Sequence, residues 1–340
     1  MDREIVEESS VLDVLDKQIV HGLVVDARIP FAKLGALLGV SEQTVARRYR
    51  SLRGRGMLHV AGQVNAVPLG HTRWMLRIKT APGRALALGE SLARVPELSW
   101  VAVLATGFEV ACVCRPRTAE RRDELMLRLL PRIPHVTELS AHEVLRQFPF
   151  DEEWPRYSYL FTEDQLRELG PRPPMWEPAG PKAPVTLSRE DEAMLAVLAR
   201  DGRAPYAQLA DATGWSATRA ARRMAELVAA GVLYFDLDFA LERMGYATRG
   251  VLWLRVRPGE LEAAGRAIAT HREVAYVAAT TGTSNLMVSV VCRDSAHLYR
   301  YVTERIGALS GVNNVEVLTS LRQFKQSQSL ISAERIEVLP

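Results

Sequence analysis

The chain of 340 residues contains only three cysteines, Cys112, Cys114 and Cys292. So low and odd a count argues against a disulfide framework and fits a reducing compartment. No stretch approaches the ~18 consecutive apolar residues of a membrane span. The acidic start, MDREIVEESSVLDVLD, lacks the basic-then-apolar order of a secretory signal. The expectation is a cytoplasmic protein without membrane contact. Charge of one sign is not in excess either: 43 Lys/Arg against 40 Asp/Glu leave +3. Any hold on nucleic acid must therefore come from local clusters. There is no glycine-rich phosphate loop, no HExxH and no nucleophile elbow. Cys112 and Cys114 share one face of a predicted strand but lack a second Cys/His pair at zinc spacing, and they read as buried apolar side chains. The seven histidines are scattered, and no motif joins His71 to His142. The expectation is accordingly no catalytic residue, no metal, no cofactor and no enzymatic activity.

What the chain does have is a second copy of itself. A constant shift of 175 residues aligns Asp26 with Asp201, Arg28 with Arg203, Pro30 with Pro205, Leu34 with Leu209, Gly39 with Gly214, and Ser41 with Ser216. It also aligns Arg47-Arg48 with Arg222-Arg223, Leu52 with Leu227, Gly56 with Gly231, and Gly70 with Gly245. The tetrapeptide LRQF at 145–148 returns at 321–324, one residue further on. Two copies of a unit of domain size follow. Between them lies a proline-rich connector, 149–186, in which Thr162 and Gln165 form a capping box and Phe161 can staple onto Leu166. Its Trp154, Tyr157, Tyr159 and Trp176 read as residues that pack on a domain surface.

Each copy opens with three short helices. In the first, Leu12, Leu15, Ile19 and Leu23 recur at helical spacing. Pro30 suits the first turn of a second helix, Gly39 a tight turn, and Ser41 the N-cap of a third that runs from Glu42 to about Arg53. Val45, Tyr49 and Leu52 face inward there, and Ala220, Met224 and Leu227 do so in the second copy. This is a helix-turn-helix pattern, and the segments that follow, LHVAGQVNAV and LYFDLDFAL, read as a hairpin or wing. The outward positions of the third helix carry the chemistry for double-stranded DNA. They are Gln43, Thr44, Arg47, Arg48 and Arg50 in copy one, and Thr218, Arg219, Arg222 and Arg223 in copy two. Arginine pairs bidentately with guanine or phosphate, and glutamine with adenine. Residues 12–60 hold eight basic and four acidic side chains, whereas 187–233 hold six of each. The first copy is expected to bind more strongly, and a second unit kept only for packing is the competing reading.

The remainder of each copy runs strand, helix, strand, strand, helix, strand, a ferredoxin-like βαββαβ unit whose bare sheet face needs a partner, naturally the same face of the other copy. The expected fold is thus α+β, with two winged helix-turn-helix domains each followed by a βαββαβ domain. The expected boundaries are 1–62, 63–148, the connector 149–186, 187–240, 241–326 and a tail 327–340.

The order of these parts resembles the Lrp/AsnC, or feast/famine, family. The likeness is carried by LDVLDKQIVHGLVVDARIPFAKLGALLGVSEQTVARRYRSLRGRGML, by DGRAPYAQLADATGWSATRAARRMAELVAAGVL, and by Thr106-Gly107 and Thr281-Gly282 before the third strand of each module. It spans roughly four-fifths of the chain, although typical members carry one copy. The resemblance implies RAM/ACT-like modules that dimerise, here an internal pseudo-dimer within a homo-oligomer, and that respond to a small effector such as an amino acid. Carried over, the effector contacts are Thr281, Gly282, Ser284 and Asn285, which fit the family's Gly-x-x-Asp/Asn pattern. In copy one they are Thr106, Gly107 and Glu109, where Gly107-Phe108-Glu109-Val110 does not fit. A plain turn is the competing reading of both loops. A sequence-specific transcription regulator is the function expected. Two alternatives stand beside it: an architectural DNA binder without effector, and an enzyme similar to siroheme decarboxylases, which share the tandem plan. A tetrapyrrole site calls for His and Arg near the Thr-Gly loops, and the loop sequences ATGFEVA and TTGTSNL hold no histidine.

Overall fold

The computed structural model describes residues 12–150, 154–170, 185–332 and 334–338. Trp176 and the prolines from Pro171 to Pro184 lie outside the described residues. The first head is α1 (Val14–Val25), α2 (Phe31–Leu38) and α3 (Glu42–Gly54). Asp13 caps α1 by accepting from the Asp16 amide, Gly39 closes α2 at φ +69°, and the Ser41 hydroxyl accepts from the Thr44 amide to start α3. A single strand, β1 (Leu58–Val64), follows. The first module is β2 (Trp74–Thr80), α4 (Ala85–Ala93), β3 (Leu98–Leu104), β4 (Glu109–Cys114), α5 (Ala119–Asp123, widening into a π-helical turn to Leu129) and β5 (Val136–Gln147). In the connector, α6 (Glu163–Leu169) carries the expected capping box of Thr162 and Gln165. Trp154 packs edge-on against Phe239 and Tyr246.

The second copy repeats the order. Its head is α7 (Arg189–Arg200), α8 (Tyr206–Thr213), α9 (Ala217–Ala229) and β6 (Leu233–Phe239). Its module is β7 (Thr248–Val256), α10 (Leu261–Ala269), β8 (Val274–Thr280), β9 (Leu286–Cys292), α11 (Ser295–Arg300, followed by a π-helical turn to Ile306) and β10 (Val312–Gln323). A hairpin of β11 (Ser329–Ser332) and β12 (Arg335–Val338) ends the described chain.

The copies interlock at three levels. The strand after each head does not fold back as a hairpin of its own. Instead β1 and β6 pair antiparallel with each other, from Leu58 opposite Phe239 to Val64 opposite Leu233, so one edge of each is satisfied by the other copy. Below this ribbon, each module has the ferredoxin-like strand order, and the two sheets join at both edges into the closed ring β10-β3-β4-β2-β5-β8-β9-β7. The long last strands make the closure: β5 pairs with β2 and then, from Val144, with β8, while β10 pairs with β7 and then with β3. Met75, Leu104, Val113, Trp253, Met287 and Leu318 form the apolar layer between the sheets.

At the third level the repeated LRQF exchanges its phenylalanine. Phe148 leaves the first copy and is buried in the second module's core, packed on Gly265 of α10 with no room for a Cβ. Phe324 does the same in reverse, against Gly89 of α4. The chain then straps across the molecule. The buried carboxylate of Asp238 accepts from the Ser327 amide at 3.0 Å, its hydroxyl at 2.5 Å, and the amides of Gln328 and Ser329 at 3.2 and 3.0 Å.

Candidate nucleic-acid interface and Thr-Gly loops

Third helices α3 and α9 present their outward faces to solvent, but the repeated Arg-Arg pair divides its labour. Arg47 and Arg222 are exposed. Arg222 is about three-quarters accessible and only loosely paired with Glu226 at 3.6 Å. Arg48 and Arg223 point back to the first helix of their own head. Arg48 donates to Asp13 at 2.6 Å and Asp16 at 3.3 Å, and Arg223 donates through Nε and Nη2 to Asp191, both at 2.8 Å. Those hydrogen bonds, opposed by burial, hold the Asp191 carboxyl below its usual value. Arg48 and Arg223 are therefore clamps of α3 on α1 and α9 on α7, a correction to their expected place among the DNA contacts. A sequence reader can see the reason: Asp16 and Asp191 stand at the same repeat position, ready for the second arginine of each pair.

Among the other expected contacts, Gln43, Arg50, Thr218 and Arg219 are exposed, and the Arg219 guanidinium lies 4.7 Å over the Trp215 ring. Thr44 is half-buried, with its hydroxyl 2.9 Å from that of Ser41. Gln43, Arg47 and Arg50 thus remain on the outward face of α3, and Thr218, Arg219 and Arg222 on that of α9.

The heads are tied by a pair of arginines whose repetition was visible in the sequence but whose role was not. Arg28 donates to the carbonyls of Gly202 and Ala204 at 2.6 and 2.9 Å, and Arg203 donates to those of Ala27 and Ile29 at the same two distances. Each guanidinium also lies over a ring of the opposite α2 or α8, Arg28 over Tyr206 at 5.0 Å and Arg203 over Phe31 at 4.3 Å. An ion pair on one side only, Arg53 to Asp201 at 2.8 Å, breaks the symmetry.

The Thr-Gly loops differ. In copy two, Gly282 adopts φ +110° and lies flat against the His142 ring of β5, where a Cβ would collide. His142 Nδ1 donates to the Thr281 carbonyl at 2.9 Å, and the Thr281 hydroxyl accepts from the Glu143 amide at 2.9 Å. Asn285 spends its carboxamide on Val256, accepting from its amide and donating to its carbonyl, both at 2.9 Å. Ser284 is half-buried, and its carbonyl accepts from the Thr280 hydroxyl. The polar groups of Thr281 and Asn285 thus hold strands together. In copy one, Thr106 and Gly107 form an open, exposed turn, while Glu109 is buried and neutralised by Arg77, whose Nε lies at 2.5 Å and which also binds Glu316 at 2.7 Å. Glu109 has no carboxylate left to offer an effector.

The folding of β5 onto β8 also brings an imidazole to the second Thr-Gly loop. His142 stacks on Trp253 at 4.8 Å, and the Arg77 guanidinium lies 5.5 Å over the same ring. The absence of histidine from the loop sequence therefore did not predict its absence from the loop. Cys112, Cys114 and Cys292 are buried, and burial pushes the Cys114 and Cys292 thiols up to about 12.

Fold and exposed third helices define a double-headed helix-turn-helix protein on paired α+β modules. The AsnC-type helix-turn-helix model matches residues 12–53 and again 187–228, and the Lrp/AsnC ligand binding domain model matches 250–330. The chain belongs to the Lrp/AsnC family, in a tandem form. One relative, the HTH-type transcriptional regulator FL11 of Pyrococcus horikoshii, is 24% identical over 147 residues, 43% of this chain and 97% of the relative. The proline dehydrogenase transcriptional activator of Rhodobacter capsulatus is 26% identical over 139 residues, 39% of this chain and 90% of the relative.

Over the whole chain the architecture is similar to the siroheme decarboxylase NirDL, with a TM-score of 0.63 at 16% identity over 95% of this chain and 96% of that one. The same enzyme with an iron-uroporphyrin III analogue gives 0.61 over 92% and 93%. This overturns the expectation that the chain is not an enzyme: the tandem architecture it adopts is one on which an enzyme is built. No described helix is long and apolar enough to cross a membrane.

Proposed function

We propose that the chain is a cytoplasmic, sequence-specific DNA-binding transcription regulator, in which one chain supplies both reading heads and a small effector biases their affinity for DNA. The observation that carries this reading is the pair of third helices, held by the reciprocal Arg28/Arg203 clamp, with Arg47 and Arg222 exposed on their outer faces. The regulator names borne by the sequence relatives, each matched over nearly its whole length, support it. Paired heads of this type favour half-sites about one helical turn, ~34–36 Å, apart, and two unlike helices favour an imperfect palindrome. An effector acts through its differential affinity for the arrangements of the heads. Selection of bound sequences from a random DNA pool tests the reading. Wild type should enrich a two-part site, and Arg47→Ala and Arg222→Ala should each lose one part. Equal enrichment by wild type and both variants would refute it.

A second reading, tetrapyrrole chemistry, is favoured by the whole-chain likeness to NirDL and by His142 at the Thr281-Gly282 loop. Titration with siroheme under reducing, anaerobic conditions separates the two. A shifted visible spectrum with loss of carboxylate groups from the product supports the enzyme, and an unchanged spectrum counts against it.

A further inference from the structure

Between the two sheets, directly beneath the β1–β6 ribbon, lies a cavity of about 200 Å³. At a liquid-water share of ~30 Å³ per molecule this is room for roughly seven waters. That suits a compound the size of an amino acid. The walls are built by both copies in register. Arg73 donates to Gln147 at 2.8 Å, and one repeat later Arg249 is hydrogen-bonded to Gln323, so the two arginine–glutamine pairs face the same space from opposite sheets. A third guanidinium, Arg115, donates to Gln63 at 3.0 Å and to the Tyr234 hydroxyl at 3.1 Å.

The polar lining is rich in donors. Among the described residues one carboxylate, that of Asp236, is part of the wall, and it accepts from the Leu237 amide. Three lining atoms, Arg115 Nε, Trp253 Nε1 and Ser320 Oγ, are buried without a hydrogen-bond partner among the described residues. Buried donors left unmade cost about 1–3 kcal/mol each, and more when charged. Three around one void call for an occupant that accepts. Between the polar groups the wall is apolar and aromatic, with Trp100, Trp253, Met75 and Met287.

We propose that this cavity, rather than the Thr-Gly loops, binds the effector, and that the effector is a small carboxylic acid with an apolar or aromatic body. Its carboxylate accepts from Arg115, and its body lies among the tryptophans and methionines. Tyr234 and Asp236, which line the cavity, belong to β6 of the inter-head ribbon, so the occupant touches the connection between the reading helices. Trp253 carries the second contact, to His142, which in turn bonds the Thr281-Gly282 loop. The regulatory consequence rests on the reading given above, whereas binding itself does not.

The test uses the full chain without DNA. Tryptophan fluorescence and calorimetry follow titration with 3-phenylpropionate, 4-methylvalerate and L-phenylalanine. The neutral isostere 3-phenylpropionamide serves as control, and siroheme as a separate arm. Saturable binding of at least one acid is expected, with the amide tenfold or more weaker, because a hydrogen bond to a charged donor contributes about 1.5–3 kcal/mol. Arg115→Met should weaken the acid to the level of the amide. Met287→Trp, which fills the void and leaves Arg115 and its partners in place, should abolish binding in a protein that melts as wild type. Overturning results are no saturable acid in the panel, equal affinity for acid and amide, undiminished binding to Met287→Trp, or preferential uptake of siroheme. Binding of the acid with no change in DNA affinity would leave the cavity assigned and refute the regulatory reading alone.

Discussion

Replacing Arg203 by alanine removes two hydrogen bonds from a charged donor to the Ala27 and Ile29 carbonyls, at 2.6 and 2.9 Å, and its contact with the Phe31 ring. Such bonds contribute about 1.5–3 kcal/mol apiece when buried. The gain is offset because burial pushes the guanidinium below its usual value, with the Arg28 charge acting in the same direction. A net loss of about 2–3 kcal/mol is expected from these terms. The ribbon of β1 and β6 survives the change, so the heads should loosen rather than separate. Two measurements read this out. Urea unfolding should show the lost stability. Mobility-shift titration on duplexes whose half-sites are moved apart in single base-pair steps should show wild type preferring one spacing and the variant accepting its neighbours. Because the two guanidiniums repel, removing one relieves the other, and Arg28→Ala/Arg203→Ala together should cost more than the sum of the single changes. Unchanged stability with an unchanged spacing preference would refute the view that this clamp sets the geometry of the heads.

Arg47→Ala and Arg222→Ala should weaken specific DNA binding by about 1–3 kcal/mol each while leaving the melting curve in place. Arg48→Met and Arg223→Met should lower the melting temperature, and fluorescence anisotropy beside calorimetry checks both halves. Phe148→Ala should destabilise the fold by about 3–5 kcal/mol, since it empties the second module's core rather than its own. Denaturant unfolding should show the second module losing protection to hydrogen exchange first. Asp191 is held low by Arg223, so its contribution is complete above the unfolded carboxyl value of about 3.9 and is lost as pH falls through the lower folded value. Acid unfolding of Asp191→Asn should accordingly be flatter over that window than that of wild type.

Much of the fold was legible because the chain repeats. Val45, Tyr49 and Leu52 face the first head's core and Ala220, Met224 and Leu227 the second's, as helical spacing alone predicts. The capping box of α6 was readable for the same local reason. What escaped was non-local. Nothing within LHVAGQV says that it pairs with LYFDLDF of the other copy, because an alternating strand specifies a face and not a partner. The repeated LRQF marked an equivalent position, yet not that Phe148 and Phe324 change places between cores. Within the candidate interface, residue type named arginines correctly but could not separate Arg47 from Arg48. Adjacent helical positions point about 100° apart, and the clamp is decided by Asp16 on another helix. His142 was visible as a lone histidine, and only the β5–β8 junction carries it to Gly282.

Fusion of the copies has a consequence that identical subunits cannot reach. A two-fold dimer must place the same residue on both sides of its axis, whereas here the equivalents have diverged where they meet. Asp201 accepts from Arg53, but the position equivalent to Arg53 in the second copy is Val228. His142 packs on Trp253, but its counterpart in β10 is Leu318, in the apolar layer between the sheets. Glu109 is locked by Arg77, while Asn285 stands at its place in the second module. Two of these differences lie at the Thr-Gly loops and around Trp253, where the two modules meet, while the Arg28/Arg203 clamp and the Phe148/Phe324 exchange remain symmetric. The pseudo-two-fold is thus broken both between the heads and at the loop ends of the modules. An asymmetric ligand lying across the pseudo-axis would then have one preferred orientation, and a duplex bound by both heads would have one preferred direction.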